Sequence, residues 1–247
     1  MEQLSVFELL YCSVVLVLAY GLRGSTGFGS TVALPFLALV IPIKVLVPVW
    51  TLLGIASSIS ILGRDRKHVT VRLLLTLLPG CLAGVVLGLF VFATLDAAVL
   101  SRGLGMVVSM YAAYALWQTF PTRLGPSLPP QLIRPIASVL SGAVGTAFGA
   151  MATLFFAMYL DSHAIAKNAF RATISAMLLV LSLIRMIAYS VVDAFNYGVI
   201  LVFVAALPLM LLGVYLGGHI HSGINEVAFR RLVCGVLVLC AVPLLLK

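Results

Sequence analysis

The chain reads as an all-α polytopic membrane protein made of two inverted repeats with glycine-broken, re-entrant helices, and three observations lead there. Its 247 residues are 63% hydrophobic and only 9% charged. Its apolar runs approach the roughly 20 residues that a helix needs to span hydrocarbon. A glycine-rich interruption, Gly21-Leu22-Arg23-Gly24-Ser25-Thr26-Gly27-Phe28-Gly29, has a relative in the second half, Ser141-Gly142-Ala143-Val144-Gly145-Thr146-Ala147-Phe148-Gly149. Inside a bilayer, broken backbone is tolerated only where protein or a watery cavity satisfies its polar groups. Paired breaks in two halves therefore point to a binding site near the midplane.

Apolar segments fall at about 4–22, 26–43, 45–63, 72–94, 97–120, 135–160, 172–192, 196–218 and 230–246, within an expected range of about 8–10 full or half crossings. The stretch from Pro121 to Pro130 loses hydrophobicity and gains proline, marking the linker. It gives a first transmembrane repeat over 1–120, a cytoplasmic Pro-rich linker over 121–134 and a second repeat over 135–247. Pro79, Gly84, Gly88 and Arg102 recur at one offset as Pro208, Gly213, Gly217 and Arg231. Gly21, Gly24 and Thr51 recur at slightly shorter offsets as Gly142, Gly145 and Thr173. Register across several positions is what makes the duplication more than compositional bias.

The formal charge of +8 comes from Lys and Arg lying between apolar runs, which the positive-inside rule explains without nucleic acid. The loop Arg64-Asp65-Arg66-Lys67-His68 is basic, whereas its counterpart around Asp193-Ala194-Phe195-Asn196 is not. Equivalent loops on opposite sides of the membrane make the repeat inverted. With the Arg64 loop in the cytoplasm, Asp96 and Asp193 lie outside, and the linker, Lys167, Arg171, Arg230 and Arg231 lie inside. That parity requires 135–160 to enter and return, since it is too short for two full spans. The same logic gives residues 5–43 two passes and places both termini outside. No Lys or Arg precedes the first apolar run and no small-residue cleavage site follows it, so the first span is expected to be retained.

Several motifs have ordinary explanations. Cys12, Cys81, Cys234 and Cys240 fall within spans without C-x-x-C spacing and read as buried thiols. Gly84 to Gly88 and Gly213 to Gly217 each fit G-x-x-x-G, which favours close helix packing within the chain, with a homodimer as the alternative. His219 and His221 lack further ligands at metal spacing and read as interfacial. Trp50, Trp117, Phe120, Tyr189 and Tyr197 lie near segment ends and read as interfacial anchors. No G-x-x-x-x-G-K-[ST] is present to support ATP hydrolysis.

Two arginines do not fit such explanations. Arg23 sits in the first break and Arg185 well inside 172–192. A central arginine costs about 2.5 to 3.5 kcal/mol on insertion scales, and that cost signals a partner. Glu8, the only acidic residue in a core segment, lies near an outer end. The charge is then available for an anion, with snorkelling or backbone carbonyls as the structural alternative. A helix starting near Thr26 would turn its free N–H groups toward the break, and Ser25, Thr26 and Thr146 would add hydroxyl donors. Arg23 could grip an oxyanion with two prongs, which Lys cannot.

In its duplicated break, in Pro35, in Thr51 and Thr173, in the basic loop before Leu78-Pro79-Gly80, and in Leu207-Pro208 with Phe229-Arg230-Arg231, the chain resembles the sulfite exporter TauE/SafE-like permeases over nearly its whole length. Its second break, ending Phe148-Gly149-Ala150-Met151, is less glycine-dense than the family pattern. The resemblance implies a bacterial inner (plasma) membrane permease for sulfite, sulfonates or related organic anions, with no cofactor. Together these readings give a secondary permease, not an enzyme, whose partners are a small anion and the lipid bilayer. Arg23, Gly24, Ser25, Thr26, Gly27, Gly29 and Thr51 would form the first half of the site, and Gly145, Thr146, Gly149, Thr173 and Arg185 the second. One repeat rocking against the other would alternate access. An anion channel or facilitator is the alternative within transport, and an intramembrane enzyme the alternative outside it.

Overall fold

The computed structural model describes residues 5–26, 33–117, 130–149, 151–161 and 167–219. They form α1 (Val6–Thr26), α2 (Ala33–Leu37), α3 (Ile43–Asp65), α4 (Val71–Thr94), α5 (Ala97–Trp117), α6 (Pro130–Phe148), α7 (Ala152–Asp161), α8 (Lys167–Val191) and α9 (Tyr197–His219). Five of the described helices, α1, α3, α4, α8 and α9, are long and apolar enough to cross a membrane. The fold is that of an all-α polytopic membrane protein. Bulky apolar side chains stand exposed along α1, α4 and α9, among them Phe7, Val86, Phe90 and Val204. On helices of this hydropathy such a surface meets lipid.

Local signals explain the helix ends. Ser5 and Glu8 form a capping box at α1: the Ser5 N–H donates to Glu8 Oε2 at 2.8 Å and the Glu8 N–H to Ser5 Oγ at 3.3 Å. That reciprocal pair holds Glu8 at an exposed helix end. At α9, Asn196 Oδ1 accepts the Val199 N–H at 3.0 Å, an Asx cap. Pro48, Pro79, Pro135 and Pro208 all lie inside helices, where packed neighbours can re-satisfy the backbone.

The glycine-rich stretches behave differently from the sequence expectation. Arg23, Gly24 and Ser25 are helical, and α1 runs through to Thr26, so no helix begins there. Packing explains why: a Cβ on Gly24 would lie 2.5 Å from the Val214 carbonyl oxygen of α9, so this glycine serves helix contact rather than a turn. The Ser25 hydroxyl donates to the Leu22 carbonyl at 3.0 Å, within the same helix. Gly27 and Gly29 fall outside the described residues. In the second half, α6 likewise continues through Gly142 and Gly145, and the chain turns only at Gly149 (φ 78°) and Met151 (φ 72°). Positive φ is easy for glycine and strained for methionine; Met151 is held there fully buried. Ser141 Oγ donates to the Ala152 carbonyl at 3.2 Å and so ties α6 to α7 across the turn.

The aromatic residues also divide. Tyr197 is exposed at a helix start, as an anchor would be, but Trp50 and Tyr189 are buried. Trp50 packs on Tyr20 at 5.4 Å between ring centroids, and Tyr189 on Phe92 at 5.0 Å. Position near a segment end does not say which way a helix faces. Trp117 and Phe120 lie outside the residues whose side chains are described.

The loop charges yield a test of topology. In a background lacking native cysteines, single cysteines at Asp96 and Asp193 are expected to react with an impermeant reagent from outside, and those at Lys67 and Ser127 to be protected. Equal labelling of Lys67 and Asp193 would remove the inverted arrangement.

Candidate functional site

Arg185 projects from the penultimate turn of α8 and is 4% exposed. Tyr189 follows one turn later on the same face. The Arg185 guanidinium lies 5.7 Å from the Tyr189 ring centroid, and its Nη2 donates to the Tyr189 hydroxyl at 3.4 Å. The Tyr189 hydroxyl donates in turn to the main-chain carbonyl of Thr146. That carbonyl belongs to the last turn of α6, where helix geometry leaves C=O groups without intrahelical donors. Thr51 of α3 also approaches the Tyr189 hydroxyl while donating its own proton to the Val47 carbonyl at 3.1 Å. Three residues expected from the sequence, Thr51, Thr146 and Arg185, thus converge on one that was not, Tyr189.

The cluster has spare polar capacity. Arg185 Nε and Thr146 Oγ1 are both buried with no hydrogen-bond partner among the described residues. No carboxylate faces Arg185 there either, and Glu8 is held at the surface. A buried guanidinium with an idle N–H is costly unless something accepts from it. A small oxyanion would accept from both Arg185 and the Thr146 hydroxyl.

Arg23, 3% exposed, occupies a second place. Its Nη2 donates to Ser58 Oγ at 2.7 Å and to the Gly54 carbonyl at 3.4 Å, and its guanidinium lies 6.0 Å from the Tyr20 ring centroid. Ser58 is two turns beyond Thr51 on α3, about 10 Å along the axis. Arg23 thus reaches α3 directly, two turns from where Tyr189, the partner of Arg185, meets Thr51, and each arginine has a tyrosine one turn away in its own helix.

The remaining expected site residues are placed as follows. Gly145 packs tightly, since a Cβ there would lie 2.9 Å from Ala152 Cβ and 3.6 Å from Leu181. Gly149 forms the turn beside the cluster, with Leu34 of α2 and Val47 of α3 at 3.0 and 3.1 Å from a built Cβ. Thr173 is elsewhere: its hydroxyl oxygen accepts the Thr70 N–H at 3.0 Å, three turns and about 18 Å along α8 from Arg185. Gly24 and Ser25 are occupied within and against helices, as described above, and the Thr26 side chain lies outside the described ones. Tyr189 was legible through its spacing, since i and i+4 share a helix face with Arg185. Among the described residues, no group of three His, Cys, Asp or Glu could hold a metal ion.

Membrane-length helices that enclose guanidinium groups among hydroxyls are the build of a membrane transport protein. A sequence profile of the sulfite exporter TauE/SafE family matches residues 12–244, nearly the whole chain, and the chain belongs to that family. The family is one of membrane transporters for sulfite or related anions. No curated protein and no solved structure matches the chain.

Proposed function

We propose that the protein is a secondary permease, without enzymatic activity, that carries sulfite, a sulfonate or a related small organic anion across a bacterial inner membrane. The observation that carries this reading is the pair of idle buried donors, Arg185 Nε and Thr146 Oγ1, gathered around Tyr189. The anion would lie between them, with Thr51 on its α3 side. Arg23 would offer a second cationic station further along α3. A planar guanidinium suits an oxyanion because it presents two parallel N–H groups. Desolvated by its surroundings, it discriminates against neutral solutes by charge and against bulky anions by the tight packing of α6 on α4.

The test is anion-dependent thermal stabilisation of the purified protein across sulfite, short sulfonates, sulfate, carboxylates and chloride. Sulfite or a short sulfonate at about 100 times its dissociation constant should stabilise by roughly 2.7 kcal/mol. Thr146→Val, which keeps the shape and loses the donor, should need more anion for the same shift. Equal stabilisation by every anion including chloride, or by none, would overturn the reading.

A further inference from the structure

The helix partnerships do not follow the two sequence halves. Among the described helices the most extensive packing is between α4 and α6, and next between α1 and α9. Each pair joins one helix from before the linker with one from after it. Lesser contacts repeat the pattern, α3 on α9 and α8 on α4, while α3 and α8 pack on one another more extensively than either. With α2 following α1 and α7 packing on α6 and α8, two bundles emerge, one of α1, α2, α3 and α9, the other of α4, α6, α7 and α8. Each takes three helices from its own half and one from the other. The largest contact between the bundles is α3 against α8.

The contacts inside each bundle are backbone against backbone. A Cβ on Gly213 would lie 2.6 Å from the Val17 carbonyl oxygen and 3.1 Å from the Gly21 nitrogen, and one on Gly217 would fall on the Gly21 carbonyl. In the other bundle a Cβ on Gly84 would lie 2.9 Å from Gly142 Cα, and one on Gly142 2.9 Å from the Val85 nitrogen. Gly21 and Gly213 in one bundle thus meet as Gly142 and Gly84 do in the other, the pairing expected if the repeat is real. Helices locked at this distance cannot slide without parting. The seam between the bundles is broad, but its glycine contact is with a side chain rather than backbone: Gly54 of α3 faces Ser182 of α8, with a built Cβ 3.0 Å from Ser182 Oγ and 3.8 Å from Ser182 Cβ.

We infer that the moving units of this transporter are these two exchanged bundles, not the two sequence repeats, and that the seam between α3 and α8 is where they part. This rests on the transport reading above and deepens it. Arg23 and Thr51 belong to one bundle, and Arg185, Tyr189 and Thr146 to the other, so parting the seam opens the anion's surroundings from one side. The sequence expectation that one repeat rocks against the other would instead tear both glycine contacts.

Pulsed electron spin resonance on the full chain in lipid nanodiscs decides this. Spin labels go on the exposed residues Phe7 of α1, Leu212 of α9, Phe90 of α4 and Ile136 of α6, after replacement of the native cysteines. The pairs within a bundle, Phe7 with Leu212 and Phe90 with Ile136, should each give one narrow distance, unchanged by sulfite. The pairs within a half, Phe7 with Phe90 and Ile136 with Leu212, should give two distances, or one that shifts by several ångströms on adding sulfite. The reverse pattern, or four invariant distances, overturns the inference. Two-distance behaviour within the halves of a protein that sulfite fails to stabilise would retain the bundles and remove the anion reading alone.

Discussion

Arg185→Gln is expected to abolish most anion recognition while leaving a folded, monodisperse protein. Removing one partner of a buried, hydrogen-bonded charge interaction costs about 2 kcal/mol or more, which is at least about thirtyfold in affinity. Arg185→Lys should restore part of this, because an ammonium returns the charge without the planar fork. The competing account is structural: Arg185 supports Tyr189, which caps the end of α6, and a cation near a helix C-terminus is favourable in itself. The two accounts separate on the pattern of substitutions. If the role is structural, both variants lower thermal stability in the absence of anion and leave the dissociation constant for sulfite unchanged. If it is recognition, the dissociation constant rises in the order wild type, Lys, Gln, and stability without anion hardly moves. Isothermal titration with sulfite beside a thermal melt reads both quantities.

The sequence discloses the spans because lipid imposes one rule, a long apolar run, on every crossing helix. Segments expected at 45–63, 72–94 and 196–218 return as α3, α4 and α9 within a few residues. Which side of each span meets protein is far less legible. In a soluble helix polar residues mark the outer face, but along α3, α4 and α9 both faces are apolar and the hydrophobic pattern says little. Trp50 lies near the end of a span and is nonetheless buried, and so is Tyr189, which lies at the centre of the candidate cluster. Glycine was the better guide, since a missing Cβ in a membrane helix records a close neighbour even when the neighbour is unknown. It did not distinguish a turn from a crossing: Gly24 and Gly142 looked like parts of breaks and are crossings, whereas Gly149 is a turn. Gly103 of α5 also records a close neighbour, since a Cβ there would lie 2.8 Å from the Phe148 ring. Thr146 and Arg185 were legible as unusual residues in an apolar setting. Their meeting was not, because it depends on how α6 crosses α4 and so reaches α8.

Gly213→Leu and Gly84→Leu are each expected to prevent recovery of folded protein, and the alanine variants to show why. A Cβ at Gly213 would press the Val17 carbonyl at 2.6 Å and Tyr20 Cβ at 3.0 Å; one at Gly84 would press the Ala143 nitrogen at 2.8 Å. These obstacles are mostly backbone, so a side-chain rotation cannot relieve them, and the helices must separate along their whole contact. Overpacking by even a methyl group costs about 1 to 3 kcal/mol. Marginal stability for a folded domain is only about 5 to 15 kcal/mol, so a leucine that forces two helices apart consumes much of it. Gly63 supplies the control, since a Cβ there meets nothing within 4 Å. Gly63→Ala in the same helical setting should be neutral or slightly stabilising, because alanine favours the helix over glycine by up to about 1 kcal/mol. The expected order of melting temperature is therefore Gly63→Ala at or above wild type, Gly213→Ala and Gly84→Ala well below it, and the leucine variants unmeasurable. Equal melting of all three alanine variants would mean that the two crossings are not in backbone contact, and the exchanged bundles would lose the rigidity that makes them units.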